Sequence, residues 1–207
     1  MDKYNVYQDM SRRTGGEIYL GIVGPVRTGK STFIKRFMEL VVIPEMSDDN
    51  EKVRTIDELP QSADGKTIMT TEPKFIPKEA AVIHFSNQET GKIRLIDCVG
   101  YLVPEAVGAI EEEKERMVKT PWSEEEIPFS KAAEIGTSKV IREHSNLGLI
   151  ITTDGSFGDI PAVNFEEALQ KTVMECEKAG KPFLILVNTS RPDSQETIPV
   201  SYTHLTL

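Results

Sequence analysis

The run Gly24-Pro25-Val26-Arg27-Thr28-Gly29-Lys30-Ser31 fits the spacing G-x-x-x-x-G-K-[ST] and constrains the fold more than any other stretch of the chain. The apolar Ile18-Tyr19-Leu20-Gly21-Ile22-Val23 before it reads as a strand, and Ser31 to Leu40 after it reads as a helix. Strand, loop and helix in that order are the setting a phosphate-binding loop requires. The two glycines let the backbone curl so that successive N–H groups face inward, and the helix start adds unpaired donors and the positive end of its dipole. Lys30 supplies a point charge for β- and γ-phosphates, and the Ser31 hydroxyl is a hard oxygen ligand suited to Mg2+. Pro25 donates no N–H, so it must occupy a position whose amide the phosphates do not need.

The remainder of the chain alternates strands and helices around that loop. Phe33, Ile34, Phe37, Met38 and Leu40 recur at near-helical spacing, and Pro44 closes the element. The polar stretch to Gly65 reads as a long loop holding one short helix near Val53 to Leu59. Two β-rich runs follow, Lys74 to Ser86 and Lys92 to Asp97, joined by a hairpin loop at Asn87 to Gly91. The second delivers Asp97 at its carboxyl end with Gly100 three positions on, which puts a carboxylate within reach of a metal or its water. Residues 101 to 128 read as a long acidic loop around Trp122. Phe129 to His144 reads as a helix, Leu147 to Thr153 as a buried strand, Val163 to Ala179 as a helix and Phe183 to Asn188 as another apolar strand. Asp154-Gly155 reads as a turn, with a nucleotide contact left open by its place at a strand end. The predicted fold is α/β, a three-layer P-loop NTPase sandwich whose sheet is mostly parallel with one antiparallel edge strand.

A chain of 207 residues suits one such domain. Net charge −9 and the clusters Glu111-Glu112-Glu113 and Glu124-Glu125-Glu126 repel a phosphate backbone, so nucleic acid is a poor partner. Cys98 and Cys176 have no metal or disulfide spacing, which fits a reducing cytosol, and His84, His144 and His204 lack partner spacing. No apolar run approaches the ~20 residues of a membrane span, so direct membrane insertion is not expected. After Pro192 the composition changes, and a domain of this wiring calls for one more strand and helix. The expectation is a domain over 1–197 that lacks its last strand and helix, with 198–207 a foreign tail.

The phosphate loop, a threonine-bearing loop before the second strand, and Asp97-x-x-Gly100 together resemble the Ras-like translation-factor class of P-loop NTPases. In that pattern the threonine and the aspartate-glycine pair sense the γ-phosphate. The guanine-reading Asn-Lys-x-Asp is replaced here by Asn188-Thr189-Ser190-Arg191, and Asp193 falls two positions too late. Longer runs resemble one family more closely: Thr14 to Gly21, Arg27 to Lys35, Glu58 to Ala63, Gly65 to Phe75 and Thr152 to Gly155 look like stage IV sporulation protein A, the coat-morphogenetic ATPases of endospore formers. The likeness runs from about Asp2 to about Thr197, and that family's middle and carboxyl-terminal domains are not in this chain.

That resemblance implies ATP binding and hydrolysis with Mg2+, and hydrolysis-driven self-assembly into a static polymer. The polymer forms the basement layer of the spore coat, in the mother-cell cytoplasm at the forespore outer surface. It also implies a small membrane-anchoring sporulation peptide and further coat proteins as partners, the peptide through the carboxyl-terminal end. Carried over by position, Lys30 matches the phosphate-loop lysine, Asp97 the second metal-site aspartate, and Thr70-Thr71 the sensor threonines. The expected nucleotide contacts are Gly24, Arg27, Thr28, Gly29, Lys30, Ser31, Thr32 and Asn188, with Asn188 either touching the base or only fixing a loop. Ser31, Asp97 and one of Thr70 or Thr71 are expected at the metal, and Lys30, Thr70, Thr71 and Asp97 in catalysis. Arg27 reads as a surface arginine or as a charge-stabilising residue. Two other function classes stay open: a Ras-like regulatory GTPase, and a non-hydrolysing nucleotide-binding structural module.

Overall fold

In the computed structural model, residues 16–60, 72–84, 90–106, 110–111 and 114–192 are described. Thr70, Thr71, Asp193, His204, the 198–207 tail and the expected absence of a further strand and helix all lie outside the described residues. The strands are β1 (Glu17–Val23), β2 (Lys74–His84), β3 (Thr90–Asp97), β4 (Ile110–Glu111), β5 (Lys114–Glu115), β6 (Met117–Thr120), β7 (Ser123–Pro128), β8 (Leu147–Thr153) and β9 (Phe183–Asn188). The helices are α1 (Lys30–Phe37), α2 (Asp49–Glu58), α3 (Phe129–Lys139) and α4 (Glu166–Lys178).

β1 sits at the centre because its side chains are apolar on both faces, the pattern of a strand covered from two sides. The main sheet runs in the order β2-β3-β1-β8-β9. β1 is parallel to β3 and β8, β8 is parallel to β9, and β2 is the antiparallel edge with a bulge between Ile76 and Ala81. This register has one consequence for function. Ile22 pairs with Asp97, Val23 with Ile150 and Thr153 with Asn188, so the carboxyl ends of four strands open on the same edge.

One face of the sheet is covered by α1, which continues through a π turn (Met38–Val42) and a 3-10 turn (Ile43–Glu45). Ile34, Met38 and Val42 pack there on Ile22, Leu95 and Ile151. The other face carries α3 with its π turn (Val140–His144) and α4, where Val140, Ile141, Leu169 and Cys176 meet Val23, Ile96 and Ile150. Helix, sheet and helix make the expected three layers of a mostly parallel α/β fold. α2 is capped by Asp48, whose Oδ1 accepts the Asn50 and Glu51 N–H groups at 2.7 and 3.3 Å.

Three local readings change. The stretch 101–128 contains the hairpins β4–β5 and β6–β7 rather than a continuous loop. In β6 only Val118 and Thr120 point inward, Val118 onto Phe129 and Ala132, and the surrounding glutamates hide that short alternation from a composition reading. The Phe129 to His144 helix ends in a π turn because the Ser145 N–H bonds the Val140 carbonyl at 3.0 Å. Ahead of α4, Ala162–Phe165 is a 3-10 turn. Cys98 and Cys176 are free and buried, and no His/Cys/Asp/Glu metal cluster occurs among the described residues. Among those residues no helix is long and apolar enough to cross a membrane.

Candidate active site

The loop leaving β1 is shaped by three left-handed residues, Gly24 at φ +128°, Arg27 at +63° and Gly29 at +91°. A Cβ on Gly24 would lie 2.4 Å from the Ile151 carbonyl oxygen, so the close approach of the loop to β8 needs glycine there. Pro25 lies in a bridge to Tyr101, and the next residue, Val26, donates its N–H to the Tyr101 carbonyl at 2.9 Å. The missing amide of Pro25 therefore falls on a segment strapped to the chain after β3. Its carbonyl is busy, accepting the Thr28 hydroxyl at 3.0 Å and the Lys30 ammonium at 2.6 Å.

Lys30 is thus folded back over the loop, with the Gly24 carbonyl 3.4 Å away, and it is buried. Burial lowers its pKa, while the charges of Cys98 and Asp97 act in the other direction. Asp97 ends β3 directly beside β1, and Ser31 Oγ donates to its Oδ2 at 3.0 Å. Burial pushes the Asp97 carboxyl above the usual carboxylate range, opposed by Lys30, the Ser31 hydroxyl, the Cys98 N–H and Lys74. Gly100, at φ +91°, lies against both parts of the loop: a Cβ there would sit 2.1 Å from the Gly24 carbonyl oxygen and 2.7 Å from Lys30 Nζ. Cys98, its thiol pushed up to about 11 by burial, donates to the Ile22 carbonyl at 3.5 Å.

The fold therefore gathers Gly24, Thr28, Gly29, Lys30, Ser31 and Asp97 within one small region at the carboxyl edge of the sheet. Ser31 and Thr32 are exposed in the first turn of α1, open to a ligand, and Arg27 is exposed at the tip of the loop. Asn188 reaches the same loop from the end of β9, its Nδ2 donating to the Thr28 carbonyl at 3.1 Å. Of the two readings of Asn188, this contact is the loop-fixing one. Thr70 and Thr71 are outside the described residues. The partners that sequence alone does not reveal are Tyr101, which straps Val26, and Asp154, which bonds Thr189. Both depend on long-range pairing that no local spacing signals.

Comparison with known proteins identifies the family. The family model for stage IV sporulation protein A, ATPase domain, matches residues 1–205. Stage IV sporulation protein A of Bacillus subtilis (strain 168) is 56% identical over 197 residues, covering 95% of this chain and 40% of its own length. The proteins of the same name from Bacillus anthracis and Clostridioides difficile (strain 630) are 54% and 50% identical, over 95% and 93% of this chain and 40% and 39% of theirs. The chain thus spans about two-fifths of the length of the curated relatives it matches. Among solved structures, Toc33 from Arabidopsis thaliana aligns over 89% of this chain and 76% of its own with a TM-score of 0.35 and 10% identity, too slight a likeness to carry an argument. With this match over nearly its whole length, the chain belongs to the family of the ATPase domain of stage IV sporulation protein A.

Proposed function

We propose that the chain binds ATP together with Mg2+ and hydrolyses it, and that it does so as the nucleotide-driven part of a protein that self-assembles into the basement layer of the spore coat. The observation that carries the reading is the 3.0 Å bond between Ser31 and Asp97 beside the buried Lys30. A hydroxyl and a carboxylate in contact are the hard oxygen donors Mg2+ prefers, so these residues fit the metal, Ser31 as direct ligand and Asp97 through a water. When bound, the metal neutralises charge on the β- and γ-phosphates.

The protein's own contribution is positioning. Lys30 exchanges the Pro25 carbonyl for phosphate oxygens, which offsets the cost of a buried ammonium better than a neutral carbonyl does. The amides of Arg27 to Ser31 and the first turn of α1 cradle the phosphates, and the Asn188 amide holds the Thr28 carbonyl so that the cradle keeps its shape. In this reading Thr70 and Thr71 sense the γ-phosphate, one of them at the metal, as the resemblance in sequence suggests. Water attacks the γ-phosphate in line, with positioning and charge neutralisation together supplying most of the catalysis. Polymerisation on the forespore surface in the mother cell, recruitment of coat proteins and attachment through a small membrane-anchoring peptide complete the reading, the last through parts of the relatives beyond this chain's span.

Turnover of radiolabelled ATP and GTP, with sedimentation before and after nucleotide, tests it. ATP turnover that Lys30→Ala abolishes, with ATP-dependent pelleting, supports the proposal. A preference for GTP moves the chain to the regulatory GTPases, and absence of turnover leaves a structural nucleotide-binding module.

A further inference from the structure

The turns after β8 and β9 are tied together by hydrogen bonds that the phosphate cradle does not use. Asp154 Oδ2 accepts the Thr189 hydroxyl at 2.6 Å, and Oδ1 accepts the Ser156 N–H at 2.9 Å. Ser156 continues the tie: its Oγ accepts the Ser190 N–H at 2.7 Å and its carbonyl accepts the Ser190 hydroxyl at 3.1 Å. Thr189 Oγ1 also accepts the Arg191 N–H at 3.0 Å. Next in sequence, Asn188 bonds the Thr28 carbonyl. A connected path therefore runs from the β8 turn through Asp154, Thr189 and Asn188 into the phosphate loop.

The position of this brace follows from strand order. Asp97 emerges from β3 on one side of β1, whereas β8 and β9 lie on the other. Ligands of open α/β sheets lie across the carboxyl ends of the strands. A triphosphate whose metal faces Ser31 and Asp97 therefore directs its nucleoside end toward the turns after β8 and β9.

We propose that Asp154 is a positioning residue for the nucleoside half of the substrate: through Thr189 it fixes the 188–191 turn as the wall against which the base lies. Both carboxylate oxygens are engaged by protein donors, so Asp154 acts by holding the wall and not by pairing with the base. This inference rests on the nucleotide-binding reading above. It also gives the turn that stands where guanine readers carry Asn-Lys-x-Asp a different task, shape in place of a carboxylate aimed at the base.

The test separates the two halves of the ligand. Calorimetric titration of the 207-residue chain with ATP and with inorganic tripolyphosphate, both with Mg2+, is compared for wild type, Asp154→Ala, Asp154→Asn and Thr189→Val. Loss of a hydrogen bond to a charged group predicts ATP binding weaker by about ten-fold in Asp154→Ala and Thr189→Val. Tripolyphosphate binding stays within about two-fold of wild type, since the bonds of Val26 to Tyr101 and of Thr28 and Lys30 to the Pro25 carbonyl hold the phosphate loop without Asp154, and the Asn188 tie is only one support among these. Asp154→Asn recovers part of the ATP affinity, because the amide still accepts from Ser156 and can donate to the Thr189 oxygen. Unchanged ATP affinity in both Asp154→Ala and Thr189→Val overturns the proposal, and so does an equal loss for the two ligands. A wild-type chain that binds tripolyphosphate and ATP equally overturns the wall alone; one that binds neither overturns the nucleotide reading and the wall with it.

Discussion

Replacing Gly100 with alanine adds one methyl group at the point where the segment after β3 touches the phosphate loop. The cost has two separable parts. Holding an L-residue at φ +91° costs about 1–2 kcal/mol, the steric penalty of the left-handed region. The new Cβ also meets the Gly24 carbonyl oxygen at 2.1 Å, which is backbone and cannot rotate away as a side chain could. Gly24 is itself pressed on Ile151, and Val26 is bonded to Tyr101, so relief requires moving paired strands. Overpacking of this kind costs about 1–3 kcal/mol. The sum, about 2–5 kcal/mol, lowers Tm by roughly 4–20 °C at about 2–4 °C per kcal/mol for a chain of this size. Gly158→Ala is the matched control, since Gly158 has φ +78° but a Cβ there meets nothing within 4 Å. Thermal melts read the stability, and calorimetry with Mg·ATP reads the site, where the displaced Gly24 carbonyl and Lys30 weaken binding in Gly100→Ala but not in Gly158→Ala. Equal Tm losses in the two variants, with ATP affinity intact in both, refute the close packing of Gly100 on the loop.

Acid sensitivity offers a second check, away from the site. The Glu175 carboxyl is held below its usual range chiefly by its hydrogen bond from Arg142, with Ser138 adding to it against the opposing effect of burial. A carboxyl whose folded pKa is depressed contributes stability above its unfolded pKa and loses it as pH falls through the folded value. Glu175→Gln should therefore narrow the Tm difference between pH 7 and pH 3, and a variant with the wild-type acid slope contradicts the pairing. At the sheet margin, Leu184 and Leu186 are 62% and 39% exposed on one face of β9, which is an edge strand among the described residues. Leu184→Thr with Leu186→Thr should lower light scattering of the concentrated chain without lowering Tm, because threonine keeps the β preference while removing exposed apolar surface. Scattering equal to wild type locates the association elsewhere.

What the sequence discloses and what it hides divide along physical lines. The elements carrying long apolar runs, β1, β8 and β9, lie where periodicity puts them, and the parallel order follows from their alternation with helices. Ser31 and Asp97, 66 residues apart, meet because β1 lies beside β3 and each residue stands past the carboxyl end of its strand or at it. The 101–128 region carries no such signal. β6 has only two inward residues, too few for a period-2 signal to rise above the neighbouring glutamates. Pro25 shows a middle case, since its lack of an amide predicts a position the phosphates can spare, but only the fold reveals Tyr101 as its neighbour. Asp154 is the instructive case: its place at a strand end leaves a nucleotide contact open, but its partner Thr189 is visible only once β9 brings that hydroxyl within 2.6 Å.

Calorimetric titration of Mg·ATP into the folded chain, with Lys30→Ala alongside, addresses the centre of the account. The geometry of Lys30, Ser31 and Asp97 predicts a saturable, one-to-one heat for the wild type that disappears in the variant while its melt stays cooperative. A well-folded wild type that takes up neither Mg·ATP nor Mg·GTP would contradict it.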